Sequence, residues 1–112
     1  MNTHQGRQGE QLASMYLQAR GYKELFRNLH FKFAEADLVM EKGNIIVLVE
    51  VKQRSSFAFG SPEEAVGWAK LHKLRLIVQA LSTQFPDKEI QVDVIGIDGN
   101  RVTTHLQNIE FS

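Results

Sequence analysis

The sequence predicts an α/β domain with a mixed central sheet flanked by two helices. Three observations carry that expectation. Ile45-Ile46-Val47-Leu48-Val49 is an apolar run without polar alternation, the mark of a strand buried on both faces. Two helix-period segments stand before and after the first strands, the second opening on Ser61-Pro62-Glu63-Glu64. The segments then run in the order helix, three strands, helix, strand, strand. A chain of 112 residues suits one domain, spanning 1–112, with a single core.

Each element has its own reason. Residues 6–20 read as a helix, with Leu12, Ala13, Tyr16 and Leu17 on one face and Gly21 as the stop. Residues 22–29 mix aromatic and apolar residues (Tyr22, Leu25, Phe26, Leu29) as strands do. Residues 35–40 form a second strand, Lys42-Gly43-Asn44 a hairpin turn, and residues 44–52 its partner. Residues 55–60 read as a loop. Ser61 is a helix N-cap, Pro62 the first helical residue, and Glu64 closes a capping box. That helix is expected to continue to about Gln84, burying Ala65, Trp68, Ala69, Ile77 and Leu81, with Pro86 enforcing its end. Residues 90–97 make another apolar strand, Asp98-Gly99-Asn100 a turn, and residues 101–109 a last strand at an edge.

Composition narrows the function classes. The apolar fraction is 43% and the charged fraction 23%, ordinary for a globular protein. The chain has no cysteine, so disulfides and thiolate zinc sites are excluded. No apolar run approaches the ~20 residues of a membrane helix, and the N-terminus has no hydrophobic targeting segment. A cytoplasmic protein without membrane attachment is expected. Thirteen basic and thirteen acidic residues cancel, so contact with nucleic acid must come from a local patch.

The chemistry gathers around the third strand. A side-chain period of two places Glu50 and Lys52 on one face, with Val49 and Val51 on the other. Glu-x-Lys is common on half-solvated sheets, where the pair contributes a few tenths of a kcal/mol. Here the unalternating run before Glu50 argues against a solvated face. An unpaired buried charge costs several kcal/mol, so the pair belongs at a rim or beside compensating groups. Asp37, on a neighbouring strand, would bring a second carboxylate to that rim. Two carboxylates and a lysine suit a divalent cation with an ammonium beside it.

Other residues admit two readings. Glu10 is an acidic residue near a helix start, favoured by the helix dipole, but Gly6 and Gly9 beside it would allow close approach of a backbone or phosphate. Lys70 and Lys73, one turn apart, form either a solvated helix face or phosphate contacts, and Arg7 and Arg54 would extend such a patch. Phe57 and Phe59 either cover the core or stack on bases of a distorted or single-stranded substrate. His4, His30, His72 and His105 lack ligand spacing and read as surface or loop residues. Asp93 interrupts its strand, so it is either paired with a basic neighbour such as Arg54 or turned outward.

Taken together, Gly9-Glu10, Ala13, Tyr16-Leu17, Gly21-Tyr22, Arg27-Asn28, Asp37-Leu38, Val49-Glu50-Val51-Lys52 with Arg54, and Val92-Asp93-Val94 resemble the YraN-like family. These are uncharacterised bacterial proteins predicted to be nucleases of the restriction-endonuclease-like, PD-(D/E)xK superfamily. The likeness covers nearly the whole chain. The superfamily signature is an acidic residue, a variable gap, then (Asp/Glu)-x-Lys, which Asp37, Glu50 and Lys52 fit.

The resemblance implies a restriction-endonuclease-like αβββαβ core followed by a last edge strand. It also implies a Mg2+ or Mn2+ site at Asp37 and Glu50, with Glu10 and the Val51 backbone carbonyl as further ligands. Glu10 matches a first-helix carboxylate that archaeal Holliday-junction resolvases also bring to the site. No organic cofactor is implied. The expected partner is DNA, branched or single-stranded, with a homodimer suited to paired cuts. The chain departs from the family pattern in two places. Ala34-Glu35-Ala36-Asp37-Leu38 stands where Gly-Glu-Ile-Asp-Leu is usual, and Gln53 where threonine is common. The alternatives to a nuclease are a nucleic-acid-binding module without turnover and an assembly protein whose Glu50 and Lys52 merely pair.

Overall fold

The structure, a computed structural model, describes residues 4–53 and 67–110, without side-chain detail at 4–6 and 68. Its elements are α1 (His4–Gln18), β1 (Lys23–His30), β2 (Glu35–Lys42), β3 (Ile45–Gln53), α2 (Trp68–Gln84), β4 (Glu89–Asp98) and β5 (Arg101–Leu106). The strands form one sheet in the order β1-β2-β3-β4-β5. β1, β2 and β3 make an antiparallel meander, β4 runs parallel to β3, and β5 returns antiparallel along β4. The fold is α/β, with a restriction-endonuclease-like mixed sheet between two helices and β5 at an edge.

Position in the sheet explains the apolar run. β3 is the central strand, and α1 and α2 cover opposite faces. Ile46 and Leu48 meet Leu71, Leu74, Ile77 and Leu81 on the α2 side. Val47 and Val49 meet Ala13 and Leu17 on the α1 side. Each such buried aliphatic side chain contributes about 1.5–3 kcal/mol. No helix among the described residues is long and apolar enough to cross a membrane.

Element ends follow backbone chemistry. α1 stops in a Schellman arrangement. Tyr22 N–H donates to Leu17 O (3.1 Å) and Gly21 N–H to Gln18 O (3.1 Å), with Gly21 at φ 92. The uninterrupted helix expected from Pro62 to Gln84 does not form. α2 begins at Trp68 because Gly67 has φ 90 and ψ 153, a conformation that breaks a helix and that a side chain would disfavour. Ser61 to Ala65, Arg54, Phe57 and Phe59 lie outside the described residues, as does the Trp68 side chain. Ala69 was expected in the core and is exposed. Leu71 and Leu74, in the first two turns of α2, face the core instead. Ala34, which replaces the usual glycine, occupies its turn without a positive φ, and its carbonyl accepts from Phe31 N–H at 2.8 Å.

Of the two readings open for Asp93, a basic partner holds and an outward turn does not, while the surface reading of His105 is overturned. Asp93 is fully buried rather than turned outward, and its basic neighbour among the described residues is His105. Its Oδ1 accepts from Asn108 N–H (2.9 Å) and Gln91 Nε2 (3.0 Å), and its Oδ2 lies 2.7 Å from His105 Nε2. His105 is therefore no surface residue, and its Nδ1 lies 3.3 Å from Tyr16 Oη. A buried carboxylate needs several donors. Those donors end the last strand early: Asn108 adopts φ 50 to aim its N–H at Asp93, so β5 stops at Leu106 rather than Ile109.

Candidate active site

Strand register brings the two candidate carboxylates together. Leu38 pairs with Val49 in the antiparallel β2–β3 ladder, so Asp37 stands opposite Glu50, and opposed residues share a sheet face. Glu50 is buried at the end of the apolar run. Asp37 Oδ2 accepts a hydrogen bond from Val51 N–H at 2.9 Å, and the Asp37 and Glu50 side chains are hydrogen-bonded to each other. Two carboxyls can bond in this way only with a proton between them. Burial, followed by the charge of Asp37, pushes Glu50 up to about 8. Burial also raises Asp37, against the pull of the Val51 N–H, the Lys70 charge and the Glu50 hydrogen bond. Glu50 is thus the donor near neutral pH.

Two lysines face this pair. Lys52 is half-buried on the Glu50 face, and its charge favours the ionised form of Glu50. Lys70, from the first turn of α2, brings Nζ to 3.5 Å from Glu50 Oε1, and its charge also reaches Asp37. Lys70 is thus half-buried and turned toward Glu50. Lys73, one turn further on, is exposed.

Glu10 approaches from α1. It is buried, with Oε1 lacking any hydrogen-bond partner among the described residues. Burial raises its pKa most, and the charge of Asp37 adds to the rise, while Asn28 donates a side-chain hydrogen bond that opposes it. Asn28 has φ 54 within β1, a left-handed conformation that Asn tolerates better than most residues. The sequence signal for it was the Asn itself, in the Arg27-Asn28 pair. Arg27 ties β1 to α1, with Nη1 2.7 Å from Gln11 Oε1 and Nη2 2.6 Å from Glu24 Oε1. The glycine beside Glu10 admits protein, since a Cβ on Gly9 would lie 2.5 Å from Gln53 Oε1. An open groove of about 520 Å³ is lined by Arg7, Gln8, Gln11, Leu12, Gly99 and Asn100. Arg7 is therefore grouped with the β4–β5 turn rather than with the carboxylates.

The donor set is hard oxygen. Among the described residues, no three acidic or histidine side chains converge as a complete metal cage. Asp37 and Glu50 are a pair, with Glu10 in electrostatic reach. That arrangement fits Mg2+, which is commonly held by one or two carboxylates, with waters and substrate phosphates completing its sphere.

A family model described as "Uncharacterised protein family UPF0102" matches residues 9–97. The chain belongs to this family. The match takes in Glu10, Asp37, Glu50, Lys52 and Lys70. A UPF0102 protein of Syntrophomonas wolfei is 45% identical, covering 96% of this chain and 98% of that one. UPF0102 proteins of Thermodesulfovibrio yellowstonii and Natranaerobius thermophilus are 37% and 38% identical, covering 95% and 96% of this chain and 95% of each relative. These names carry no activity, and a fold does not supply one. Any function for this UPF0102 chain has to be argued from its site.

Proposed function

We propose that this UPF0102 protein is a divalent-cation-dependent nuclease that hydrolyses phosphodiester bonds in branched or single-stranded DNA. The observation carrying that reading is the geometry that sets Asp37 opposite the buried Glu50, with Lys70 Nζ 3.5 Å from Glu50 Oε1 and Lys52 on the same face. A buried acid pair held this way costs stability, and such a cost is commonly found where a site is built for a ligand. Asp37, Glu50 and the Val51 carbonyl are the oxygens on offer to Mg2+ or Mn2+, with the unsatisfied Glu10 Oε1 behind them. When bound, the cation polarises the phosphoryl group and makes a water more acidic. Lys52 holds an ammonium where negative charge grows on the phosphate in the transition state. Lys70, with Nζ 3.5 Å from Glu50 Oε1, is placed to meet a phosphate once the carboxylates have a cation. Paired cuts across a branch need two such sites, and the β5 edge offers a rim for a homodimer.

A cleavage assay on branched and single-stranded DNA, with Mg2+, Mn2+ or chelator, tests the reading. The wild-type protein should cut only with metal, and Asp37→Ala should not cut at all. Cation binding without cleavage of any DNA offered would favour a binding module without turnover.

A further inference from the structure

The loop joining β1 to β2 carries two aromatics, of which Phe31 belongs to the core and Phe33 is accounted for by neither the core nor the carboxylate site. Phe31 is half-buried against the α2-side core. Phe33 stacks on it, with ring centroids 5.5 Å apart and planes inclined by 24°, yet is itself 40% exposed. Lys32, between them, is exposed. Burial would favour turning Phe33 inward, so an exposed ring continuing a stack from the core is a surface poised for another flat partner.

Position says what that partner is. The loop lies at the N-terminal end of β2 and the C-terminal end of β1, the same end of the sheet as Asp37 and Glu50. Glu35, the first residue after it, acts electrostatically on both Asp37 and Glu10 and binds His30 across the hairpin at 3.2 Å. Phe31 and Glu50 also share the α2 side of the sheet. Phe33 is four residues before Asp37, at most about 13 Å along an extended chain. That is a few nucleotides at about 3.4 Å per step along one strand.

We propose that Phe33, backed by Phe31 and flanked by Lys32, stacks on an unpaired nucleobase of the DNA strand whose phosphate meets Asp37 and Glu50. The preferred substrate is then DNA with a single-stranded segment a few nucleotides from the cut. The identity of the strand rests on the nuclease reading, while the stacking itself is measurable without cleavage. Bases offer a π-face whatever their sequence, so this contact selects unpaired structure rather than a motif.

The test is binding of the full chain, in Ca2+ or chelator, to a blunt duplex and to a duplex with a single-stranded tail carrying 2-aminopurine near the junction. Wild type should prefer the tailed DNA and quench the 2-aminopurine. Phe33→Ala should lose about tenfold in affinity for the tailed DNA, in the range of one stacking contact, keep its affinity for the blunt duplex, and restore the emission. Phe33→Trp should retain the preference. Equal binding of tailed DNA by wild type and Phe33→Ala, equal losses on both DNAs, or no tail preference in wild type would overturn the platform. A wild-type protein that never cleaves but shows the Phe33-dependent tail preference would sink the nuclease reading and leave the platform standing.

Discussion

Glu50→Gln raises the stability of the metal-free protein, and the gain grows with pH. Glu50 is held at about 8 in the folded chain, against an ordinary 4.5. Between those values the folded state keeps a proton that the unfolded state releases, so wild-type stability falls as pH rises from about 4.5 to about 8. The raised Asp37 acts in the same direction. Gln is nearly isosteric, keeps a hydrogen-bonding group beside Asp37 and cannot ionise. The slope should therefore flatten in Glu50→Gln, with a gain of a few kcal/mol at pH 8, read as a rise of about 10–20 °C in Tm. Near pH 4.5 the two proteins should melt together. Thermal melts from pH 4.5 to 8.5 in chelator check this, and parallel curves would contradict the buried proton.

Lys52→Ala should lower the rate of cleavage by about 10²–10³ while leaving the Kd for DNA within a few fold. An electrostatic donor aimed at charge that appears only in the transition state contributes to turnover and little to ground-state binding. Lys52 also favours the ionised form of Glu50, so its loss should move the pH dependence of cleavage upward. Single-turnover kinetics with Mn2+, beside equilibrium binding in Ca2+, separates the two effects. Equal cutting by wild type and Lys52→Ala would put the activity elsewhere.

Local pattern carried much of this account. The unalternating Ile45–Val49 run marked the central strand because both faces of β3 are covered, and Lys42-Gly43-Asn44 marked the hairpin that sets Asp37 opposite Glu50. Tertiary partners were not legible. Lys70 reaches Glu50 from a helix twenty residues later, and its spacing to Lys73 resembles any solvated helix face. His105 reads as a lone edge histidine until β5 is laid along β4, where Asp93 needs it. Gly67 breaks a helix that capping residues and apolar spacing extend back to Pro62, because one positive φ outweighs that pattern. Phe31 and Phe33 drew no reading from the sequence, since stacking depends on a turn that periodicity does not describe.

Calorimetric titration of Mn2+ into wild type and Asp37→Ala, at pH 7 in two buffers of different ionisation enthalpy, tests the central claim most directly. A cation site at Asp37 and Glu50 requires Glu50 to give up its proton on binding. The account predicts saturable binding by wild type, with about one proton released per ion, and loss of that binding in Asp37→Ala. Unchanged binding in Asp37→Ala, or wild-type binding without proton release, would contradict it.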